Sequence, residues 1–77
     1  MKKLTSLLEA FHAMLNEDTF ALSEDVLKIV VEEQGYQVTE NEFTIQSIER
    51  DGRISLYCQS CSDVIYDFEV YQLEKIN

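Results

Sequence analysis

The sequence predicts an α+β domain in which two N-terminal helices lie on one face of a small four-stranded antiparallel meander, in the order ααββββ. Three observations predict it. Apolar residues recur at helical spacing before Gly35 and alternate after it. Asp51–Gly52, the strongest short hairpin signal, separates two alternating runs. The 77 residues allow one domain, residues 1–77, with one small core.

The first helix is expected over residues 3–16. Leu4, Leu7, Leu8, Phe11, Met14 and Leu15 fall on one stripe, the natural core-facing side of an amphipathic helix. Residues 17–21 break the pattern and read as a short connection. A second helix is expected over residues 24–34. Ser23 is a good N-cap, Glu24 and Asp25 follow where the helix dipole favours acid, and Gly35 is a natural C′ residue. Val26, Leu27, Val30, Val31 and Gln34 share one arc of it, and Ile29 falls among the charges. The β-branched run 29–31 competes with this helix by its strand propensity.

After Gly35 the period is two. Tyr36 and Val38 mark a first short strand, and Glu40–Asn41 a turn. Residues 43–50 and 53–59 flank the hairpin turn, and the alternation from Val64 to Tyr71 makes a fourth strand. In this register Phe43, Ile45, Ile54, Leu56, Val64, Tyr66, Phe68 and Val70 face the helices. Ile48, Tyr57, Ile65, Tyr71 and Leu73 face away. Such tyrosine-rich apolar surface is typical of interface centres, unless the C-terminal segment or a bulge near Ser47 covers part of it.

The net charge of −9 argues against direct binding to nucleic acid or anionic lipid, each of which needs clustered Lys and Arg. No apolar run approaches the roughly 20 residues of a membrane helix. Lys2 and Lys3 look like the start of a secretory leader, but Thr5, Ser6, Glu9 and His12 interrupt the apolar stretch beyond them. A cytoplasmic protein with reduced thiols is therefore expected.

Cys58-Gln59-Ser60-Cys61 is the most specific-looking motif. Two turn-borne thiolates suit one edge of a zinc tetrahedron, but two further ligands are needed and His12 is far away in the chain. A redox dithiol belongs at a helix start, whereas these cysteines fall between strand patterns. The plainer expectation is a hairpin loop with Cys58 in the core and Cys61 free. Cys58 and Cys61 stay weak metal candidates, and no cofactor is expected. His12 lacks a nucleophile and an orienting group. With two glycines there is no phosphate-cradling loop, and Glu40-Asn41-Glu42 lacks calcium-loop spacing. An enzyme is not expected.

Charge is distributed unevenly. Residues 1–16 are net positive, whereas residues 17–42 carry Glu17, Asp18, Glu24, Asp25, Glu32, Glu33, Glu40 and Glu42 against Lys28 alone. A negative face of this kind suits a basic surface, and basic surfaces in cells are often nucleic-acid sites. The expected function is a small acidic, non-enzymatic protein-binding module. It would inhibit a nucleic-acid-handling protein by covering its basic surface, with Ile48, Tyr57 and Tyr71 adding an apolar hot spot. Small phage anti-restriction, anti-CRISPR and DNA-mimic proteins offer an analogy of class, not of residues. The alternatives are an adaptor subunit that docks or forms a homodimer through the aromatic sheet face, and a metal or redox regulator built on the two cysteines.

Overall fold

The computed structural model describes residues 2–76. The chain runs β1 (Lys2–Lys3), α1 (Leu7–Leu15), β2 (Thr19–Leu22), α2 (Glu24–Lys28), a π-helical turn (Ile29–Glu33), β3 (Phe43–Ile48), β4 (Ile54–Cys58), β5 (Asp63–Phe68), a 3-10 turn (Val70–Gln72) and β6 (Leu73–Lys75). The strands form one antiparallel sheet in the order β1-β6-β2-β3-β4-β5. The α+β class and the two helices agree with the sequence reading, but the order does not. A strand lies between the helices where residues 17–21 read as a connection, and the C-terminal segment adds another beside it. No strand forms at Tyr36 and Val38, which pack half-buried against the core from an irregular segment.

Register explains the core, because side chains opposite each other across a ladder share a face. Leu73 faces Leu22, Phe20 faces Phe43, Phe43 faces Cys58, and Ile45, Leu56 and Ile65 lie in one row. All are buried, and they form one cluster with Ala10 and Ala13 of α1 and Val30 of the π-helical turn.

Two bulges decide which residues join that face. Ile45 pairs with Leu56 but Ser47 with Ser55, so β3 carries one extra residue at Gln46. Leu56 pairs with Ile65 but Ile54 with Phe68, so β5 carries one extra residue as well, and Asp67 there takes a φ of 71°. An extra residue reverses the alternation beyond it. Ile48 therefore turns toward the core and packs half-buried against it. Ile65 is fully buried and Tyr66 is 62% exposed, the reverse of the simple alternation. Leu73 is also buried, because β6 pairs with β2 rather than following β5 in a meander. Val64 and Val70 are only half-buried.

Helix α1 begins at residue 7, later than expected. Ser6, in an extended conformation, caps it by accepting a hydrogen bond from the Glu9 N–H at 3.2 Å. Leu4 lies before the helix and is buried on its own account. The helix ends in a Schellman motif: Asp18 N–H donates to Ala13 O and Glu17 N–H to Met14 O. Glu17 holds the left-handed C′ position at φ 57°, where glycine is the usual occupant.

The face that α1 presents inward is not its large-residue stripe. Ala10 and Ala13 are 0% and 4% exposed, whereas Leu8 and Leu15 are each 67% exposed. Small residues at i and i+3 let the helix backbone sit close to a sheet face already filled by Phe20, Phe43 and the aliphatic row.

The second helix occupies its expected span in two geometries. Gln34 N–H donates to Ile29 O across five residues, the π spacing, in the β-branched run 29–31. Val30 stays inward, while Val31 drifts outward and is exposed like Ile29. Ser23 occupies the N-cap position without a side-chain cap bond, and Gly35 takes the left-handed conformation expected after the helix, at φ 81°. The β3–β4 turn is longer than a two-residue hairpin. Gly52 N–H donates to Glu49 O and Glu49 N–H to Arg53 O, which leaves three residues in the loop.

One polar contact completes the sheet. Strand β2 pairs with β3 only at Thr19 and Phe20, so Leu22 lacks a backbone partner on that side. The Asn41 amide supplies both groups: its Oδ1 accepts from Leu22 N–H at 2.9 Å and its Nδ2 donates to Leu22 O at 2.7 Å. It acts as a single peptide unit in place of a continued strand.

These contacts set two expectations for stability. Ala13→Leu is expected to cost about 1–3 kcal/mol by overpacking, whereas Leu8→Ala changes stability by no more than about 0.5 kcal/mol. Urea unfolding of the pair reads which face of α1 is inward, and the opposite ranking would contradict this seating. Asn41→Ala is expected to cost about 1–3 kcal/mol, because it leaves two partly buried backbone groups unpaired, and a melting-temperature measurement checks it.

Candidate functional site

The carboxylates singled out from the sequence sit on three successive parts of the chain. Glu17 and Asp18 form the α1–β2 corner. Glu24 and Asp25 open α2, and Glu32 and Glu33 close the π-helical turn. Glu40 and Glu42 lie in the irregular segment before β3. Seven of these eight are exposed. The exception, Asp18, is half-buried and pairs with Lys75 Nζ at 3.2 Å. That pair joins the α1–β2 corner to β6, so Asp18 acts as a structural latch. Lys28 approaches Glu32 at 4.0 Å with both side chains largely in solvent, too weak a pair to offset the field of four acids on that stretch.

The expected aromatic sheet face is not assembled. Ile48 points to the core side beyond the β3 bulge, and Ile65 and Leu73 are fully buried. Tyr57 does face away, half-buried beside Thr44 and Val64 across the ladder. Tyr71 is exposed, but on the 3-10 turn rather than on the sheet. Tyr66, placed inward by simple alternation, is exposed instead.

A different apolar surface is present. Leu7, Leu8, Phe11 and Leu15 of α1 are 44%, 67%, 48% and 67% exposed. They form one side of the helix, opposite Ala10 and Ala13. The stripe itself was legible in the sequence; its direction was not. The available signal was the pair of alanines three apart, which marks a close-packing face as clearly as leucines mark an apolar one.

The two cysteines stand at the ends of the β4–β5 turn as free thiols, Cys58 buried and Cys61 half-buried. Cys61 N–H donates to Cys58 Sγ at 3.4 Å. Ser60 Oγ lies 3.5 Å from the same sulfur and accepts hydrogen bonds from the backbone N–H groups of Thr39 and Glu40 at 3.2 and 3.3 Å. With its lone pairs directed to those donors, the Ser60 hydroxyl hydrogen is left for Cys58 Sγ. The turn thus ties the segment before β3 to the end of β4. Burial pushes the Cys58 thiol up, but hydrogen bonds from Cys61 and Ser60 outweigh it and hold it below the ordinary value. Burial, the hydrogen bond to Cys58 and the charge of a Cys58 thiolate push Cys61 up to about 11. The more accessible thiol is therefore the harder one to ionise, whereas exchange chemistry calls for an accessible thiolate.

Cys61 also lines an open groove of about 480 Å³ with Gly35, Tyr36, Gln37, Thr39, Ser60 and Asp63. Among the described residues, no group of three or more His, Cys, Asp or Glu side chains is placed to hold a metal ion. His12 is exposed and borders a smaller groove of about 200 Å³ with Asn16, Asp18 and Lys75. No described helix is long and apolar enough to cross a membrane. No family model, curated protein or solved structure matches the chain.

The thiol geometry makes a kinetic prediction. Native protein is expected to react slowly with iodoacetamide at pH 8, well below the Cys61 value of about 11. Cys58→Ala removes the hydrogen bond and charge of the neighbouring sulfur but leaves the burial that contributes most, so Cys61 is expected to alkylate measurably faster at that pH. Mass spectrometry of the time course checks it, and equal rates would contradict the coupling.

Proposed function

We propose that this chain is a small protein-binding module that lays its acidic surface on the basic surface of a nucleic-acid-handling protein and so inhibits it. The carrying observation is that seven of eight carboxylates between residues 17 and 42 point into solvent, with a single long, exposed ion pair among them. Their charge is left to act outward. Complementary potentials of this kind raise association rates, select partners by charge and weaken with salt.

The acids of α2 and its π-helical turn are the centre of this reading, because they lie on a regular element and serve no latch. Asp18 leaves the contact set, since Lys75 already holds it. Ile48 leaves it as well, as a core-side residue. Tyr57 lies on β4 and Tyr71 on the 3-10 turn, so they sit on different elements. In a reducing cytoplasm, the setting this reading assumes, both cysteines stay free thiols, as they are in the structure.

Affinity capture from a cell lysate, with washes at low and then high salt, tests the proposal. The expected result is a basic nucleic-acid-handling protein that is retained at low salt and released at high salt. The D25K/E32K/E33K variant is expected to lose that retention while keeping the wild-type circular dichroism spectrum and melting temperature. Undiminished capture by the folded variant would count decisively against the electrostatic mechanism.

A further inference from the structure

The exposed stripe of α1 brings four large apolar side chains together on one side of a single helix. We infer that it pairs with the same stripe of a second copy, helix against helix and antiparallel, about a two-fold axis at Phe11. Charge distribution and spacing carry this inference independently of the acidic surface.

Leu7, Leu8, Phe11 and Leu15 leave roughly 400 Å² of apolar side chain open, within the range of about 300–600 Å² for the largest patch on a typical monomer. Two stripes face to face would bury roughly 800 Å² in all, short of the roughly 1,200 Å² of a standard specific interface, so their flanks must add the rest. The expected dimer is therefore weak, with a dissociation constant on the order of micromolar.

Charge restricts the choice of surface. Two copies of a −9 chain repel each other, and the acid is concentrated beyond residue 16. Within α1 the one acidic residue is Glu9, and residues 1–16 are net positive through Lys2 and Lys3. The hairpin loop beside Leu7, whose Cδ1 would lie 3.3 Å from a Cβ at Gly52, carries Glu49 and Asp51 against Arg50 and Arg53. The stripe is thus an apolar surface that a second copy approaches with little local repulsion.

Spacing fixes the arrangement. Leu7, Phe11 and Leu15 are four residues apart on either side of Phe11, along one row of the helix surface. A row symmetric about its centre is self-complementary when reversed, as an isologous contact requires. Phe11 then meets Phe11 of the second copy, and Leu7 meets Leu15 at both ends. Leu8 widens the stripe on one side.

Sedimentation equilibrium from about 1 to about 500 μM, spanning a micromolar dissociation constant, tests this. The wild-type chain is expected to shift from monomer to dimer. The dimer is expected to strengthen with added salt, because screening relieves repulsion between copies. Phe11→Glu and Phe11→Lys are each expected to weaken the dimer at least about tenfold, and an equimolar mixture of the two to recover association, because the two-fold places opposite charges together. Phe11 is half exposed, so both variants are expected to keep the wild-type circular dichroism spectrum.

A wild-type monomer throughout the range leaves the stripe to a different protein and overturns the proposal. So does a dimer that Phe11→Glu leaves intact, or a mixture that fails to associate. The D25K/E32K/E33K variant is expected to dimerise at least as well as the wild type. Failure of the acidic docking mechanism is thereby distinguished from failure of this one.

Discussion

The close seating of α1 on Ala10 and Ala13 is the constraint on which the surface depends. The sheet face beneath it is already filled by Phe20, Phe43, Leu56 and Ile65, all fully buried. A helix set down on leucines would be held farther away by the bulk of those side chains. Set down on alanines, it brings its own backbone against the core and gives up the burial of four large residues. At about 25 cal/mol per Å² that forgone burial is considerable for a domain of this size. It is recovered only where something else covers the stripe, so the packing of the core and the readiness to associate are two consequences of one choice of face.

The class was legible in the sequence because it rests on periodicity, and periodicity survives small errors of detail. The helical spacing before Gly35, the alternation after it and the glycine at the hairpin turn each correspond to an element. What was not legible is phase. One extra residue at Gln46 brings Ile48 to the core side, and another at Asp67 lets Ile65 and Phe68 both point inward. Neither position carries the glycine that would announce a bulge. The π-helical turn has the same effect in the second helix, where Val31 belongs to the inward arc at α-helical spacing and leaves it at π spacing. Strand order was hidden for a different reason. The partners of β2 are β6, at the far end of the chain, and β3, beyond α2, its π-helical turn and an irregular segment, and pairings of that range leave no local trace.

The candidate site divides along the same line. Exposed carboxylates were legible because charge seeks water whatever the fold does, and seven of the eight did so. Asp18 was not, because its role depends on Lys75, which reaches it only through the β2–β6 pairing. The aromatic face failed because it was built on phase, which two bulges and the true partner of β6 overturned. The cysteine turn was legible as a hairpin loop with one buried sulfur. Its hydrogen bonding through Ser60 to Thr39 and Glu40 was not, since no local pattern joins residues twenty positions apart.

The two surfaces obey different physics, and that separates them more sharply than position does. In the proposed function the acid-rich surface acts through uncompensated charge, so its reach would be about one Debye length and its affinity would fall as salt rises. The α1 stripe works through apolar area, and between identical chains of charge −9 the long-range term opposes it. Salt therefore favours the second contact as it disfavours the first. Neither contact draws on the other's residues. Glu24, Asp25, Glu32 and Glu33 lie on α2 and its π-helical turn, and Leu7, Phe11 and Leu15 on α1. A chain that pairs through α1 presents its acidic surface twice. Even a weak dimer then raises the effective concentration of the second acidic surface once the first has docked, provided the partner's basic surface extends far enough to meet both.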